Sequence, residues 1–215
     1  MKVEIWSDVM CPFCYIGKKK FEQGLAQFSN PQSIEIEWKS FQLMPELEAG
    51  TSTKIEELLV EKRGYSPSQI QQMNARVQEM STEVGIDFQF DKILGVNTLD
   101  AHRFLHFAQA QGKSNDAEEA LFSAYFTEGK NVGDLHVLLS IGEYIGLDAE
   151  SLQQTLENNQ YLDAVENDIY EAQQVGVRGV PFFVFDRKYA VSGAQDPSVF
   201  LNTMTQSYAE WRKEH

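Results

Sequence analysis

Apolar positions recur with the two-residue period of a strand at only a few places along the chain; helical spacing dominates elsewhere. Val3 to Asp8 is dense in β-branched and aromatic residues and predicts a buried strand. A helix opens at Cys11, with Pro12 in its first turn, where a missing N–H costs nothing. Phe21, Leu25 and Phe28 carry its apolar face to about Ser29. After a turn at Asn30-Pro31, Ile34-Glu35-Ile36-Glu37-Trp38 alternates as a second strand, ending near Phe41 to Pro45.

From there to about residue 175 the pattern is helical. Thr53-x-x-Glu56 and Ser66-Pro67-x-Gln69 read as capping boxes. Helices are expected over Thr98–Gln111, Asn115–Glu128, Asp134–Ile145, Asp148–Asn158 and Leu162–Val175, with Gly64, Gly85, Gly112, Gly129 and Gly146 as C-terminal stops. Strand spacing returns at Phe182–Phe185, turns at Asp186-Arg187-Lys188 and resumes over Tyr189–Ser192. Asp196-Pro197 then caps a final helix ending near Trp211. The class is α/β, in the order β–α–β, helical block, β–β–α. Without the block a thioredoxin-like fold remains, formed by residues 1–48 and 176–215, with 49–175 as a large all-helical insertion domain.

Composition narrows the function. The net charge of −14 excludes phosphate-backbone binding, so no nucleic-acid partner is expected. No apolar run is long enough to cross a bilayer, and Met1 to Trp6 leads into a strand without a signal core, so no membrane partner and a cytoplasmic location are expected. That compartment matters for Cys11 and Cys14, the 2 cysteines of the chain, because cytosolic disulfides in mesophiles are usually transient and catalytic.

The pair stands as Cys11-Pro12-Phe13-Cys14, directly after the first strand. Disulfide exchange needs a thiolate, and a helix N-terminus favours one through its free N–H groups and dipole. Cys11, at the helix start, is the expected attacking thiol. Cys14, one turn deeper, is the resolving one. Pro12 and Phe13 tune the couple. Asp8 either shuttles a proton to Cys14 or caps the loop after the strand. Far along the chain, Gly179-Val180-Pro181-Phe182 opens a strand with a proline, a position that need not donate to the ladder.

Together, Ser7-Asp8-Val9-Met10-Cys11-Pro12-Phe13-Cys14-Tyr15 and Gly179-Val180-Pro181-Phe182-Phe183-Val184 resemble the DsbA-like branch of the thioredoxin superfamily. Asn97-Thr98-x-x-Ala101-His102-Arg103 and Ser192-Gly193-Ala194-Gln195 narrow the resemblance to the FrnE-like group of predicted dithiol–disulfide isomerases. The resemblance implies a cis Val180-Pro181 bond facing the cysteines, with Gly179, Val180 and Pro181 presenting an extended substrate by strand addition. It implies a thiol–disulfide oxidoreductase, acting as protein disulfide reductase or isomerase on protein or small-molecule disulfides. Phe13 stands where the periplasmic oxidases have histidine, so a less stabilised thiolate and a less oxidising couple are expected. No metal or cofactor is required beyond the cysteines, with glutathione a possible co-substrate.

Other readings compete. Kappa-class glutathione transferases and 2-hydroxychromene-2-carboxylate isomerases share such a split fold but typically carry serine where Cys11 stands. A polypeptide-binding holdase would need neither cysteine. Zinc would need ligands beyond one C-x-x-C. His102 and His106 share a helix face, with helix packing or hydrogen bonding near the site as the expected role rather than metal. Glu37 is a second acid to consider, with solvent exposure its expected fate. Trp6, Tyr15, Trp38, Phe122, Tyr125 and Phe126 are expected in the core, with a place on the substrate surface as the alternative for Trp6 and Tyr15.

Overall fold

The computed structural model describes residues 1–215. β1 (Lys2–Ser7) pairs in parallel with β2 (Glu35–Ser40) across α1 (Pro12–Gln27). On its other edge β1 pairs antiparallel with β5 (Phe182–Phe185), which turns into β6 (Tyr189–Ser192). The sheet order is therefore β2-β1-β5-β6.

Register decides which residues face which layer, because neighbours along a strand point to opposite faces. Val3 lies opposite Phe185 and Ile5 opposite Phe183. These four side chains join Phe21 and Phe28 of the α1 side with Phe200 and Met204 of α9 (Pro197–Glu214) in one apolar cluster. Glu4 and Trp6 take the opposite face. There Trp6 meets Ala172 of α8 (Leu162–Val175) with Val177 and Val184, and its indole Nε1 donates to the Asp168 carbonyl at 3.0 Å. The sheet is thus covered on both sides, as a sheet with parallel pairing requires.

Between β2 and α8 the chain is almost wholly helical: α2 (Ile55–Arg63), α3 (Pro67–Thr82), α4 (Leu99–Ala110), α5 (Ser114–Phe126), α6 (Leu135–Tyr144) and α7 (Ala149–Glu157). None of the chain's helices is long and apolar enough to cross a membrane. The capping box at Ser66 is present with both reciprocal bonds. The one expected at Thr53 is not. Thr53–Lys54 instead forms a two-residue strand, β3, antiparallel to Leu94–Gly95, β4. The Ile55 amide then donates to the Ile93 carbonyl at 3.1 Å, and α2 starts with Lys54 as an N-cap without a side-chain bond. Backbone pairing with a distant segment has overridden the local signal.

The core of the helical segment extends beyond it. Its apolar cluster includes Phe104, Leu121, Phe122, Tyr125 and Phe126, and continues without a break through Val9, Met10, Cys11, Cys14, Tyr15 and Ile16. The start of α1 is therefore packed by the insertion, while its second half is packed by the sheet.

Candidate active site

Cys11 is the N-cap of α1, with φ −91° and ψ 111°, and Pro12 occupies the first helical position. No side chain caps this N-terminus. Pro12 has no N–H and the Cys14 amide is taken by the Cys11 carbonyl, so the Phe13 N–H stays available at this positive end of the helix dipole. The Cys11 amide itself donates to the Asp8 carbonyl at 2.9 Å. Cys14 lies one turn on, its amide donating to the Cys11 carbonyl at 3.0 Å. Both thiols are free and buried, Cys11 at 3% exposure and Cys14 at 1%. Phe13 projects outward beside them at 36%.

The Val180–Pro181 peptide is cis, and the Cys11 thiol donates to the Val180 carbonyl at 3.5 Å. Pro181 is buried, while Gly179 and Val180 are half-buried. Its placement rests on Gly17, where a Cβ would come within 2.8 Å of Pro181 Cγ and 3.6 Å of Ala194. On its other side the Gly193 amide donates to the Pro181 carbonyl at 2.8 Å, at a backbone φ of +82° that favours glycine. The Ser192-Gly193-Ala194-Gln195 segment thus braces the proline against α1.

Asp8 is fully buried. Its Oδ2 accepts from the Leu43 amide at 2.7 Å and its Oδ1 from the Met10 amide at 3.4 Å. The carboxylate therefore ties down the loops flanking the site, and it is the Asp8 backbone amide that acts on Cys14. Burial pushes the Cys14 thiol well above its usual range, and the neighbouring Cys11 adds to the rise; the Asp8 amide and the Ser7 hydroxyl act against it.

The two histidines of α4 part company. His102 Nε2 is buried 3.4 Å from Asp8 Oδ1, outside hydrogen-bond geometry. His106 Nε2 lies 3.0 Å from Asp168 Oδ2 and 3.1 Å from Ser40 Oγ, with its ring stacked on Tyr161. A relay of the serine-protease kind would need both ring nitrogens; here one nitrogen serves both partners. Arg103, buried beside His102, donates to the carbonyls of Thr155, Leu156 and Gln160 and pairs with Asp100 at 2.6 Å. It closes the C-terminus of α7 and has a structural task. Glu37 is half-buried rather than exposed, held by Lys2 at 2.5 Å and Lys39 at 2.9 Å.

Sequence reasoning missed Glu118. It is 1% exposed, and its Oε1 accepts from Ser7 Oγ at 2.8 Å at the end of β1. Two acids stand side by side on α5, and nothing in their spacing says which one turns inward. Its neighbour Glu119 faces the edge, bound by Lys18, Lys19 and the Tyr15 hydroxyl.

The sheet order, with a dithiol at the start of α1, is that of a thioredoxin-class fold. Residues 2–205 match the DSBA-like thioredoxin domain, and the chain belongs to that family. The fold is similar to that of a probable DsbA oxidoreductase from Streptomyces coelicolor, at 36% identity and a TM-score of 0.92 over 98% of this chain and 91% of that one. It also shares its fold with the cytosolic disulfide reductase DsbM from Pseudomonas aeruginosa, solved with GSH, at 14% identity and a TM-score of 0.65 over 100% and 98% of the two chains. By sequence it is 27% identical over 200 residues to the uncharacterized protein YwbO of Bacillus subtilis, covering 92% of each.

Proposed function

We propose that the protein is a thiol–disulfide oxidoreductase in which Cys11 attacks a substrate disulfide and Cys14 resolves the mixed disulfide. The observation that carries this reading is the Cys11 thiol itself, seated at the open N-terminus of α1 and against the Val180 carbonyl beside Pro181. A substrate strand entering there competes for that carbonyl and brings its sulfur to Cys11. Exposed Phe13 and half-buried Val180 supply an apolar rim for protein disulfides, and glutathione disulfide is the small-molecule substrate we include. Support for glutathione comes from the shared fold with the GSH-bound DsbM.

The direction we assign is reduction or isomerisation in the cytoplasm, as in the FrnE-like group. The Phe13 side chain has no proton to donate to a Cys11 thiolate, so the reduced form lacks one source of stabilisation that makes a dithiol strongly oxidising. The test is the equilibrium of the pair across glutathione redox buffers, read by alkylation and intact mass. A potential between about −270 and −180 mV is expected. A value near −120 mV, that of a strong oxidant, would reverse the assigned direction. A pair that fails to exchange would remove the oxidoreductase reading altogether.

A further inference from the structure

Resolution of a mixed disulfide requires Cys14 to lose its proton, and Cys14 is buried among groups that offer few places for it. Asp8 is poorly placed to receive it, since its oxygens hold the Met10 and Leu43 amides and its contact with Cys14 is a backbone N–H. The Ser7 hydroxyl acts on the thiol by favouring its ionised form, and that hydroxyl donates to Glu118 Oε1 at 2.8 Å. Glu118 Oε2 is buried with no hydrogen-bond partner, which leaves acceptor capacity on a carboxylate enclosed by protein. Behind it lies a polar cavity of about 10 Å³, room for roughly one water molecule. Ser7, His102, Glu118, Lys39, Ser40 and His106 supply its polar lining.

We propose that Glu118, acting through the Ser7 hydroxyl, accepts the proton of Cys14 when the mixed disulfide is resolved. The inference rests on the oxidoreductase reading and adds to it an acid supplied by the helical insertion rather than by the sheet. The starting species is a disulfide between Cys11 and a substrate sulfur. Cys14 Sγ–H gives its proton to Ser7 Oγ as the Ser7 proton passes to Glu118 Oε1. The Cys14 thiolate attacks Cys11 Sγ, the Cys11–Cys14 bond forms, and the substrate sulfur leaves as a thiolate. In this step the Cys14 sulfur is oxidised as the leaving substrate sulfur is reduced; over the two exchanges together the dithiol gives two electrons to the substrate disulfide, and Glu118 is left neutral. Run backwards, the same steps return the proton to Cys14.

The charges facing Glu118 come from the elements around it: Asp8 after β1, Lys18 on α1, His102 on α4, and Lys39 and His106 in the lining of the same cavity. Burial pushes its carboxyl up to about 7; Asp8 adds to this, while the Ser7 hydroxyl, His102 and Lys18 pull the other way. A carboxyl titrating there both takes and gives a proton near neutral pH.

The test follows release of glutathione from protein carrying glutathione on Cys11, by rapid quench and intact mass, between pH 5.5 and 9. The wild-type rate is expected to rise through an inflection near pH 7. In Glu118→Gln that inflection is lost and the rate at pH 7 falls roughly a hundredfold. Ser7→Ala, which keeps the carboxyl but removes the bridge, shows the same loss and serves if Glu118→Gln does not fold. Both variants keeping the wild-type profile to within about twofold would overturn the proposal. A wild-type protein that never forms the mixed disulfide would instead overturn the oxidoreductase reading on which it stands.

Discussion

Two buried carboxylates meet opposite fates: Glu118, which lines the small cavity, and Asp168, which binds Lys39, Ser40 and His106 of the same lining. Asp168, 2% exposed, has Lys39 at 3.1 Å, the Ser40 amide at 2.9 Å and His106 at 3.0 Å. Burial pushes it up, but His106, the Ser40 amide and Lys39 together hold it below the usual carboxylate range. Glu118, as deeply buried, has one hydroxyl on one oxygen and nothing on the other, and burial wins. Burial thus sets the scale of the perturbation and partners set its sign. The satisfied carboxylate ties α8 to the sheet edge; the unsatisfied one is free to change charge.

The comparison breaks most sharply at Asp168. Asp168→Ala leaves Lys39 and His106 half-buried without their shared carboxylate and frees the buried Ser40 amide, so about 4 kcal/mol of stability is expected to go in urea denaturation. A loss under about 1 kcal/mol would mean that Glu37 and Glu171, the other carboxylates on Lys39, suffice for it.

Glu118 has the smaller effect, and it depends on pH. Its folded form holds a proton that the unfolded chain releases near 4.5. The stability it contributes is therefore full below about pH 4.5 and is lost as pH rises through 7. Glu118→Gln lacks that slope. Over this window the variant should gain on the wild type by up to about 3 kcal/mol, at 1.4 kcal/mol per pH unit. Parallel curves for the two proteins would show that Glu118 titrates normally.

The smallest change moves Asp168 toward the condition of Glu118. His106→Phe keeps a ring against Tyr161 and removes one partner, costing about 1 kcal/mol at neutral pH. A carboxyl held low contributes stability that is present at neutral pH and lost as pH falls through its folded value. With the depression reduced, the variant should lose less than the wild type between pH 5 and 3. An unchanged acid limb would assign the depression to Lys39 and the Ser40 amide alone.

Much of this molecule is legible in its sequence because the signals are local. Strand spacing marks β1, β2, β5 and β6, the cap at Asp196 is in place, and the helix starts read at Asp134 and Asp148 prove to be N-caps with side-chain bonds of their own. Cys11 and Cys14 follow from a motif and its offset from a strand. What escaped depends on tertiary partners. Thr53 carries a cap signal that pairing with Gly95 overrides. Glu118 and Glu119 are chemically alike until packing turns one inward. His102 and Arg103 are adjacent, yet one reaches the loop before α1 and the other closes α7 some fifty residues away.

The unbroken apolar cluster running from the helical insertion through Val9 to Ile16 has a consequence for anyone exchanging parts between relatives. The insertion is not a detachable module resting on a finished scaffold. A chimera that imported another protein's helices would have to import the matching first turns of α1 as well, cysteines included. The unit of inheritance is the reactive motif together with its roof.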